Sequence, residues 1–334
     1  ASPSPTGSPL PSAEAVTASG AEEALGAPGD VGEGAAMDLD VALAGARAAT
    51  ALATTLAERF HRVEARELLA CALARILYTA APSSSYIWAE VVGHCLMSTR
   101  EFTSAQALAE WLTATGALEA SPCGVLSFAC SLVLTRGIDV IRQDMDDPSA
   151  PLVGVFGHCS QELVNLCLAG RAVTNVFDGS VTFEDGGDVL TLQGICQRPI
   201  CGFLSALEPL KLCEVGALLK QPQYPLWVVG TQTHYSLLLS AECHVNQVAT
   251  GSSGAAADAA ARGAPAALLH FNGRDFGADR PALSAVELRL QEEGETLSAP
   301  PLLSGDEDAR LFAEVLRTRW PGAGVSFPGL LHGT

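Results

Sequence analysis

The residue of this sequence best placed for chemistry is His234, which lies between two short apolar runs. These runs, Leu226 to Val229 and Leu237 to Leu239, are separated by a polar turn, and this pattern predicts a pair of buried strands. An imidazole at the open end of a buried strand is held by a rigid element and can act as a general base. The alternative is that His234 only caps the strand and hydrogen-bonds a neighbour. A single histidine does not decide between the two.

The cysteines are the candidates for a nucleophile that such a histidine would serve. A thiol hydrolase needs an ionisable cysteine, a histidine that takes its proton, and hydrogen-bond donors for the oxyanion. The cysteines lie at positions 71, 95, 123, 130, 159, 167, 196, 201, 213 and 243, without a Cys-x-x-Cys pair. This distribution is typical of reduced, mostly buried thiols, and it favours the cytoplasm or the nucleus over an oxidising compartment.

The other histidines give weaker signals than His234. His94 and His158 each precede a cysteine in the tripeptide Gly-His-Cys, but adjacent side chains rarely face one another, so structural roles are favoured. His270 falls in or beside a predicted loop. No His or Cys pair has the spacing of a zinc site, and no glycine-rich stretch has the strand-loop-helix order of a phosphate site. The sequence therefore predicts neither a metal nor a cofactor.

Charge and composition limit the class of protein. The chain has 334 residues, of which 48% are hydrophobic, so it can bury a sizeable core. Nineteen Lys and Arg stand against 37 Asp and Glu, and the net charge of -18 argues against nucleic acid as a partner. No uncharged apolar run reaches the roughly 18 residues of a membrane span, so no membrane segment is expected. A basic protein partner fits this charge better.

The composition divides the chain into two parts. Residues 1–40 are rich in Ala, Gly, Ser, Pro and Glu and contain no aromatic residue, so we predict that they are disordered. Residues 41–330 carry periodic apolar patterns and form the predicted folded domain. Within it, residues 246–267 are again rich in Ala, Gly and Ser, which predicts a low-complexity surface insertion.

Helical and strand patterns alternate within the domain and predict an α+β fold. Predicted helices fall within 42–80, at 103–115, 123–141, 160–170, 207–219 and 311–320, and predicted strands at 86–92, 173–177, 181–183, 226–229 and 237–239. The sharpest boundaries belong to the fourth helix, which has Ser160 as its N-cap and Gly170 as its C-terminal stop.

One long block of sequence resembles a known family. It runs from Leu152 to Phe177 and reads Leu-Val-Gly-Val-Phe-Gly-His-Cys-Ser-Gln-Glu-Leu-Val-Asn-Leu-Cys-Leu-Ala-Gly-Arg-Ala-Val-Thr-Asn-Val-Phe. Further similar segments follow in the same order: Leu190 to Ile195, Gly202 to Ser205, Val215-Gly216 followed by Leu219-Lys220, Pro225 to Val229, Thr233 to Leu238 and Leu316 to Ala323. Together they resemble the MINDY family of deubiquitinases, in the branch of its third and fourth members.

The resemblance implies a fold, an activity and a site. That family has a papain-like cysteine-protease fold and trims polyubiquitin, with a preference for lysine-48-linked chains. The resemblance therefore implies a cysteine-type deubiquitinase whose partners are ubiquitin and polyubiquitin, and it makes His234 the catalytic histidine. Such an imidazole would hold the nucleophile as a thiolate and then protonate the leaving lysine amine.

The nucleophile itself is not identified in this chain. The family carries it in a Gly-Gly-Pro-Cys-Gly-Val-Leu type of motif, upstream of the helix that corresponds to Leu69 through Tyr78, and residues 1–68 contain no cysteine. A local echo, Ser121 to Leu126, contains Cys123 but lacks the double glycine, so a structural role for Cys123 is favoured. The expectation is either a fragment without its nucleophile or an inactive, ubiquitin-binding relative.

Overall fold

The computed structural model describes residues 65–91, 96–185, 188–231, 234–240, 265–272, 283–289 and 307–327. The predicted disordered segment 1–40 lies outside these ranges, as do residues 246–264 of the predicted insertion. The last three residues of that insertion, 265–267, are instead the beginning of a strand.

Helices and strands are mixed along the described chain. The helices are α1 (Ala65–Ala80), α2 (Ala105–Thr115), α3 (Ala117–Ala120), α4 (Gly124–Arg136), α5 (Ile138–Asp144), α6 (Gln161–Ala169), α7 (Ala217–Lys220) and α8 (Glu307–Arg319). The strands are β1 (Tyr86–Val91), β2 (Met97–Phe102), β3 (Ser180–Asp185), β4 (Asp188–Gln193), β5 (Gly202–Ser205), β6 (Leu226–Gly230), β7 (Tyr235–Leu239), β8 (Pro265–Phe271), β9 (Leu283–Arg289) and β10 (Gly324–Ser326). The α+β prediction is confirmed.

A six-stranded sheet positions His234, which directly precedes its strand β7. Its order is β10-β9-β8-β7-β6-β5, antiparallel except for the parallel pair β5 and β6. On β7 the buried residues Ser236 and Leu238 alternate with the more exposed Tyr235 and Leu237, as the period of two requires. The two strands predicted on either side of His234 are thereby confirmed.

Helix α8 covers one face of this sheet. Its Leu316 and the following Trp320 pack in one cluster with Trp227, Leu238 and Leu288 of the strands. The two indole rings meet edge to face with centroids 5.3 Å apart, and the Trp227 Nε1 donates to the Lys220 carbonyl at 3.0 Å. A buried indole is stabilised when its N–H is paired in this way. The cluster fixes β6 and β7 against the helix.

The opposite face of the sheet is covered by α6. Val164 and Leu168 of this helix pack in a cluster with Phe203 of β5 and Val228 of β6. The helix has the predicted caps: the Ser160 hydroxyl accepts from the Leu163 N–H, and Gly170 is left-handed with φ 72°. Both boundaries of this helix are therefore confirmed.

A ladder of hydroxyl groups joins α4 to β1. Ser127, Ser131 and Thr135 lie four residues apart on the helix and accept from the backbone N–H groups of β1. The accepted bonds are Val91 to Ser127 at 3.0 Å, Ala89 to Ser131 at 2.7 Å and Ile87 to Thr135 at 2.9 Å. The Thr135 hydroxyl also donates to the Ile87 carbonyl at 3.2 Å. The helix thus satisfies polar groups that a further strand would otherwise pair.

A buried carboxylate ties several elements together. Asp144, at the end of α5, accepts from both Nε and Nη2 of Arg136 at 2.8 to 3.0 Å and from Arg171 at 3.1 and 3.2 Å. It also accepts from the Ala172 N–H at 3.2 Å. Arg171 reaches on to the Gln193 side chain of β4 at 2.7 Å. One carboxylate therefore connects α4, α5, the segment after α6 and β4.

One predicted element is absent from the structure and another is much shorter than predicted, and side-chain bonds to the backbone explain both. The predicted strand 173–177 is irregular because the buried Asn165 amide donates to the carbonyls of Val173 and Asn175. Most of the predicted helix 207–219 consists of turns, since the Ser205 hydroxyl accepts from Leu207 N–H and Glu208 accepts from Val215 N–H. Only α7 remains of it. Polar side chains that bind nearby backbone compete with regular structure in this way.

The predicted helix 123–141 is two helices, α4 and α5, which break at Gly137. The strands β2, β4, β5, β8, β9 and β10 were not predicted. Within the described ranges, no single helix is long and apolar enough to cross a membrane. Helices α4 and α5 pass that test only as a pair, by length and composition, and they are bent by 82°.

Candidate functional site

The backbone of His234 is fixed by a tight turn between β6 and β7. The Thr231 N–H and hydroxyl both donate to the His234 carbonyl at 2.9 Å, and the His234 N–H donates back to the Thr231 hydroxyl at 3.1 Å. The side chain is half-buried, and both ring nitrogens are shielded from water. The structure therefore holds this imidazole at the open end of a rigid strand, which is the position that the sequence predicts.

A second histidine, His270, lies within electrostatic reach of His234. It belongs to β8, opposite Leu238 of β7, and its ring packs on Phe312 of α8 with centroids 4.4 Å apart. Burial and, to a smaller extent, the nearby charge of His234 together lower the pKa of His270 to about 4. The prediction that His270 lies in or beside a loop is wrong. His270 is therefore neutral near pH 7. A positive charge on His234 would meet no repulsion from a second charged imidazole.

Asn272, two residues after His270, adds a buried acceptor just beyond the end of β8. It directly follows β8, where Phe271 pairs with Leu237, so it lies next to the buried Ser236. Its side-chain oxygen is shielded from water, and within the described part of the chain it has no hydrogen-bond partner. Such a group is costly to leave unsatisfied, and functional sites are one place where it is retained. An amide oxygen can orient a neighbouring imidazole by accepting from its N–H.

The loop before α6 approaches the same end of β7. Burial raises the pKa of Tyr235, the residue after His234, and the nearby Cys159 raises it further. Cys159 is exposed, and so is His158, whose carbonyl accepts from the Gly154 N–H at 2.8 Å. This Gly-His-Cys tripeptide is part of a turn. The other tripeptide, with His94, lies outside the described residues.

Cys123 lies in a different layer of the domain from His234. It precedes α4, a helix that packs on β1, α1, α3 and α5. The glycine after it has a packing role, because a Cβ on Gly124 would stand 2.1 Å from the Leu118 carbonyl oxygen. This contact gives Gly124 a structural explanation.

The thiols as a group differ from the expectation of mostly buried cysteines. All eight that the structure describes are free, but Cys71, Cys159 and Cys196 are exposed, and the remaining five have intermediate exposure. Burial raises the pKa of Cys167 and of Cys201 to about 12, so at neutral pH these two are thiols and poor nucleophiles. Among the residues with coordinates described here, no cluster of three His, Cys, Asp or Glu side chains could hold a metal ion.

The low pKa of His270 predicts a specific pH dependence of stability. In the unfolded chain a histidine has a pKa of about 6.5, so as the pH falls the unfolded state takes up this proton first. The stabilisation from a neutral His270 is complete above pH ~6.5 and is lost progressively down to about pH 4. We expect His270→Leu to remove on the order of 1 to 3 kcal/mol of this acid destabilisation. Urea unfolding between pH 7.5 and 4.5 measures it, and equal pH slopes for both proteins would contradict it.

Comparison with known proteins identifies the family. Residues 44–329 match the family model described as deubiquitinating enzyme MINDY-3/4, conserved domain. The chain is 46% identical over 123 residues to the cattle (Bos taurus) probable ubiquitin carboxyl-terminal hydrolase MINDY-4. This match covers 36% of this chain and 16% of that protein. It is 40% identical over 150 residues to the Xenopus tropicalis ubiquitin carboxyl-terminal hydrolase MINDY-3, covering 45% and 33%. The human MINDY-3 is 39% identical over 148 residues, covering 44% and 32%.

The matched segments therefore span a third or less of each of these relatives. No solved structure matches the chain. The family match, in contrast, extends over most of the 334 residues and includes both His234 and the sheet that carries it. The chain belongs to the MINDY-3/4 family of deubiquitinating enzymes.

Proposed function

We propose that the full-length protein is a cysteine-type deubiquitinase that hydrolyses isopeptide bonds in polyubiquitin, with lysine-48-linked chains as the expected substrate. The observation that carries this proposal is the placement of His234. It is fixed by the Thr231 turn, its ring nitrogens are shielded from water, and its neighbour His270 stays neutral. A papain-like arrangement of the domain, a location in the cytoplasm or nucleus, and the absence of nucleic-acid and membrane partners belong to the same proposal.

The chemistry assigned to His234 follows from its two protonation states. As an imidazolium it stabilises the thiolate of the nucleophilic cysteine, which attacks the carbonyl of the isopeptide bond. It then donates its proton to the lysine amine that leaves, and a thioester between ubiquitin and the enzyme remains. The neutral imidazole next takes a proton from water, whose oxygen attacks the thioester carbonyl. Collapse of this adduct expels the cysteine as a thiolate beside the imidazolium, which restores the starting pair, and the new ubiquitin carboxyl group loses its remaining proton to the lysine amine or to solvent.

One observation favours a second candidate function. By the resemblance, the family's nucleophile would lie before Leu69, and residues 1–68 contain no cysteine. A relative that had kept the fold and lost the nucleophile would bind ubiquitin without cleaving it. In that case His234 would be a strand cap, and the conserved function of the domain would be recognition.

A thiol-reactive ubiquitin probe separates these possibilities. We expect the 334-residue chain alone neither to be labelled nor to cleave lysine-48-linked chains, because it offers no thiol in the position of the family nucleophile. We expect the full-length protein to do both. Labelling of the 334-residue chain at Cys123, lost in Cys123→Ala, would overturn this assignment. A full-length protein that binds ubiquitin chains without cleaving them would establish the second candidate.

A further inference from the structure

An apolar turn projects from the domain just before α6. Within the turn from Gly154 to Gly157, the Val155 side chain is 97% exposed and the Phe156 side chain is 89% exposed. We call these two residues the apolar tip. A single exposed apolar residue is ordinary, but two adjacent ones at a turn, one of them aromatic, form the kind of anchor found at the centre of protein interfaces.

The apolar tip is held rigidly. The Gly157 N–H donates to the Gly154 carbonyl at 2.9 Å, and the Gly154 N–H donates to the His158 carbonyl at 2.8 Å. Gly157 has φ +78°, a left-handed conformation that favours glycine. Below the turn, Val153 and Cys159 form an antiparallel bridge. These bonds already order the backbone of the tip. Binding of a partner would therefore cost little further conformational entropy of the tip.

The helix behind the apolar tip anchors it to the strands that carry His234. Val164, in the first turn of α6, packs in one cluster with Val228 of β6. Val228 pairs with Leu237 of β7, so these two side chains lie on the same face of the sheet. Tyr235 lies on that face as well, and both Tyr235 and Leu237 are partly exposed. The tip and these two residues therefore share one side of the domain, at the end of β7 that follows His234.

Ubiquitin is the partner that this placement selects. This step rests on the proposed function, in which the C-terminal carbonyl of a ubiquitin must lie at His234 during cleavage. A protein–protein interface of ordinary size covers roughly 800 Å² on each partner, a patch with a radius of about 16 Å. A ubiquitin held by its C-terminus at His234 would spread over this end of β7. We propose that the apolar tip, Val155 and Phe156, contacts the apolar surface of the ubiquitin whose C-terminus is bound at His234.

The test is the affinity of the 334-residue chain for ubiquitin, which needs no catalysis. Isothermal titration calorimetry with monoubiquitin and with lysine-48-linked diubiquitin is carried out on the parent chain, on Phe156→Ser and on Val155→Ser. We expect Phe156→Ser to raise the Kd about 30-fold or more, the effect of removing an aromatic anchor from an interface. The control is Val125→Ser, since Val125 is also exposed but lies on α4, and its Kd should stay within about twofold of the parent.

The outcomes distinguish this proposal from the proposed function. Equal Kd values for Phe156→Ser and the parent chain would overturn the role of the apolar tip and leave the proposed function intact. A parent chain that binds neither ubiquitin species would also overturn the role of the apolar tip, whereas the proposed function is tested separately by chain cleavage with the full-length protein. Sedimentation of the parent chain as a dimer that Phe156→Ser dissociates would assign the tip to a second copy of this chain and overturn the ubiquitin contact. Thermal unfolding checks that the variants stay folded, which we expect because the replaced side chains face solvent.

Discussion

Replacing His234 with alanine is expected to abolish measurable cleavage of ubiquitin chains by the full-length protein. Without the imidazole, the nucleophilic thiol loses the base that ionises it, and the leaving lysine amine loses its proton donor. General acid–base catalysis by one group is typically worth about 10²- to 10⁴-fold. The fold should survive, because the Thr231 turn is bonded to the main chain of residue 234 and not to its ring. Initial rates of cleavage of lysine-48-linked chains measure the first effect and thermal unfolding the second.

The matched control for this experiment is Leu238→Ala. Leu238 is on the same strand but fully buried in the cluster with Trp227 and Trp320, so its truncation leaves a cavity. We expect a cost of about 2 to 5 kcal/mol of unfolding free energy and, where the protein remains folded, continued turnover. If His234→Ala retained near-normal turnover, or lost it only by unfolding, His234 would be a strand cap.

Replacing Asp144 with alanine is expected to be the most destabilising change in the helical part of the domain. The Asp144 side chain is 5% exposed and is bonded to the guanidinium groups of Arg136 and Arg171. Removal of one partner from a buried ion pair leaves uncompensated charge, which costs about 3 to 5 kcal/mol. Here it would leave two guanidinium groups without their carboxylate. Urea unfolding followed by circular dichroism measures the loss.

Asp139→Ala is the control for Asp144→Ala, since it removes the same side chain from the same helix. Asp139 pairs with Arg142 at 3.7 Å, but its side chain is 90% exposed. Solvent-exposed pairs contribute about 0 to 1 kcal/mol, so the control should unfold at nearly the parental urea concentration. Similar losses for the two variants would show that burial does not govern the strength of the Asp144 cluster.

Local signals in the sequence were sufficient where an element is determined by its own residues. Helix α6 was predicted with both boundaries because Ser160 and Gly170 cap it directly. The pair β6 and β7 was predicted because each strand is a compact apolar run. The segment 173–177 also carries residues typical of strands, Val173, Val176 and Phe177, but it is not a strand, because Asn165, eight residues earlier, binds its first carbonyl. A bond of this kind depends on tertiary packing and has no signature in the segment itself.

The candidate site divides in the same way. His234 was predicted from the strands around it and from the resemblance to a family. The structure places its backbone just before β7, as the sequence predicts. The proximity of His270 could not be predicted, because it depends on the register in which β8 pairs with β7. That register joins residues 32 positions apart, His270 and Leu238, across a segment of low complexity. The acceptor on Asn272 was missed for the same reason.

The hydroxyl ladder between α4 and β1 has a consequence for association with other chains. An edge strand with open N–H and carbonyl groups is a template on which a foreign strand can add, and this is how many sheets begin to aggregate. On β1 the groups of Ile87, Ala89 and Val91 that face α4 are occupied by side chains, so that edge offers no such template. Because only a hydroxyl on a short side chain bridges this gap, the positions of Ser127, Ser131 and Thr135 should accept little besides serine and threonine. Helix α4 thus protects the edge of β1 from pairing with a strand of another chain. The sequence signature of this protection is a hydroxyl residue at every fourth position of an otherwise apolar segment.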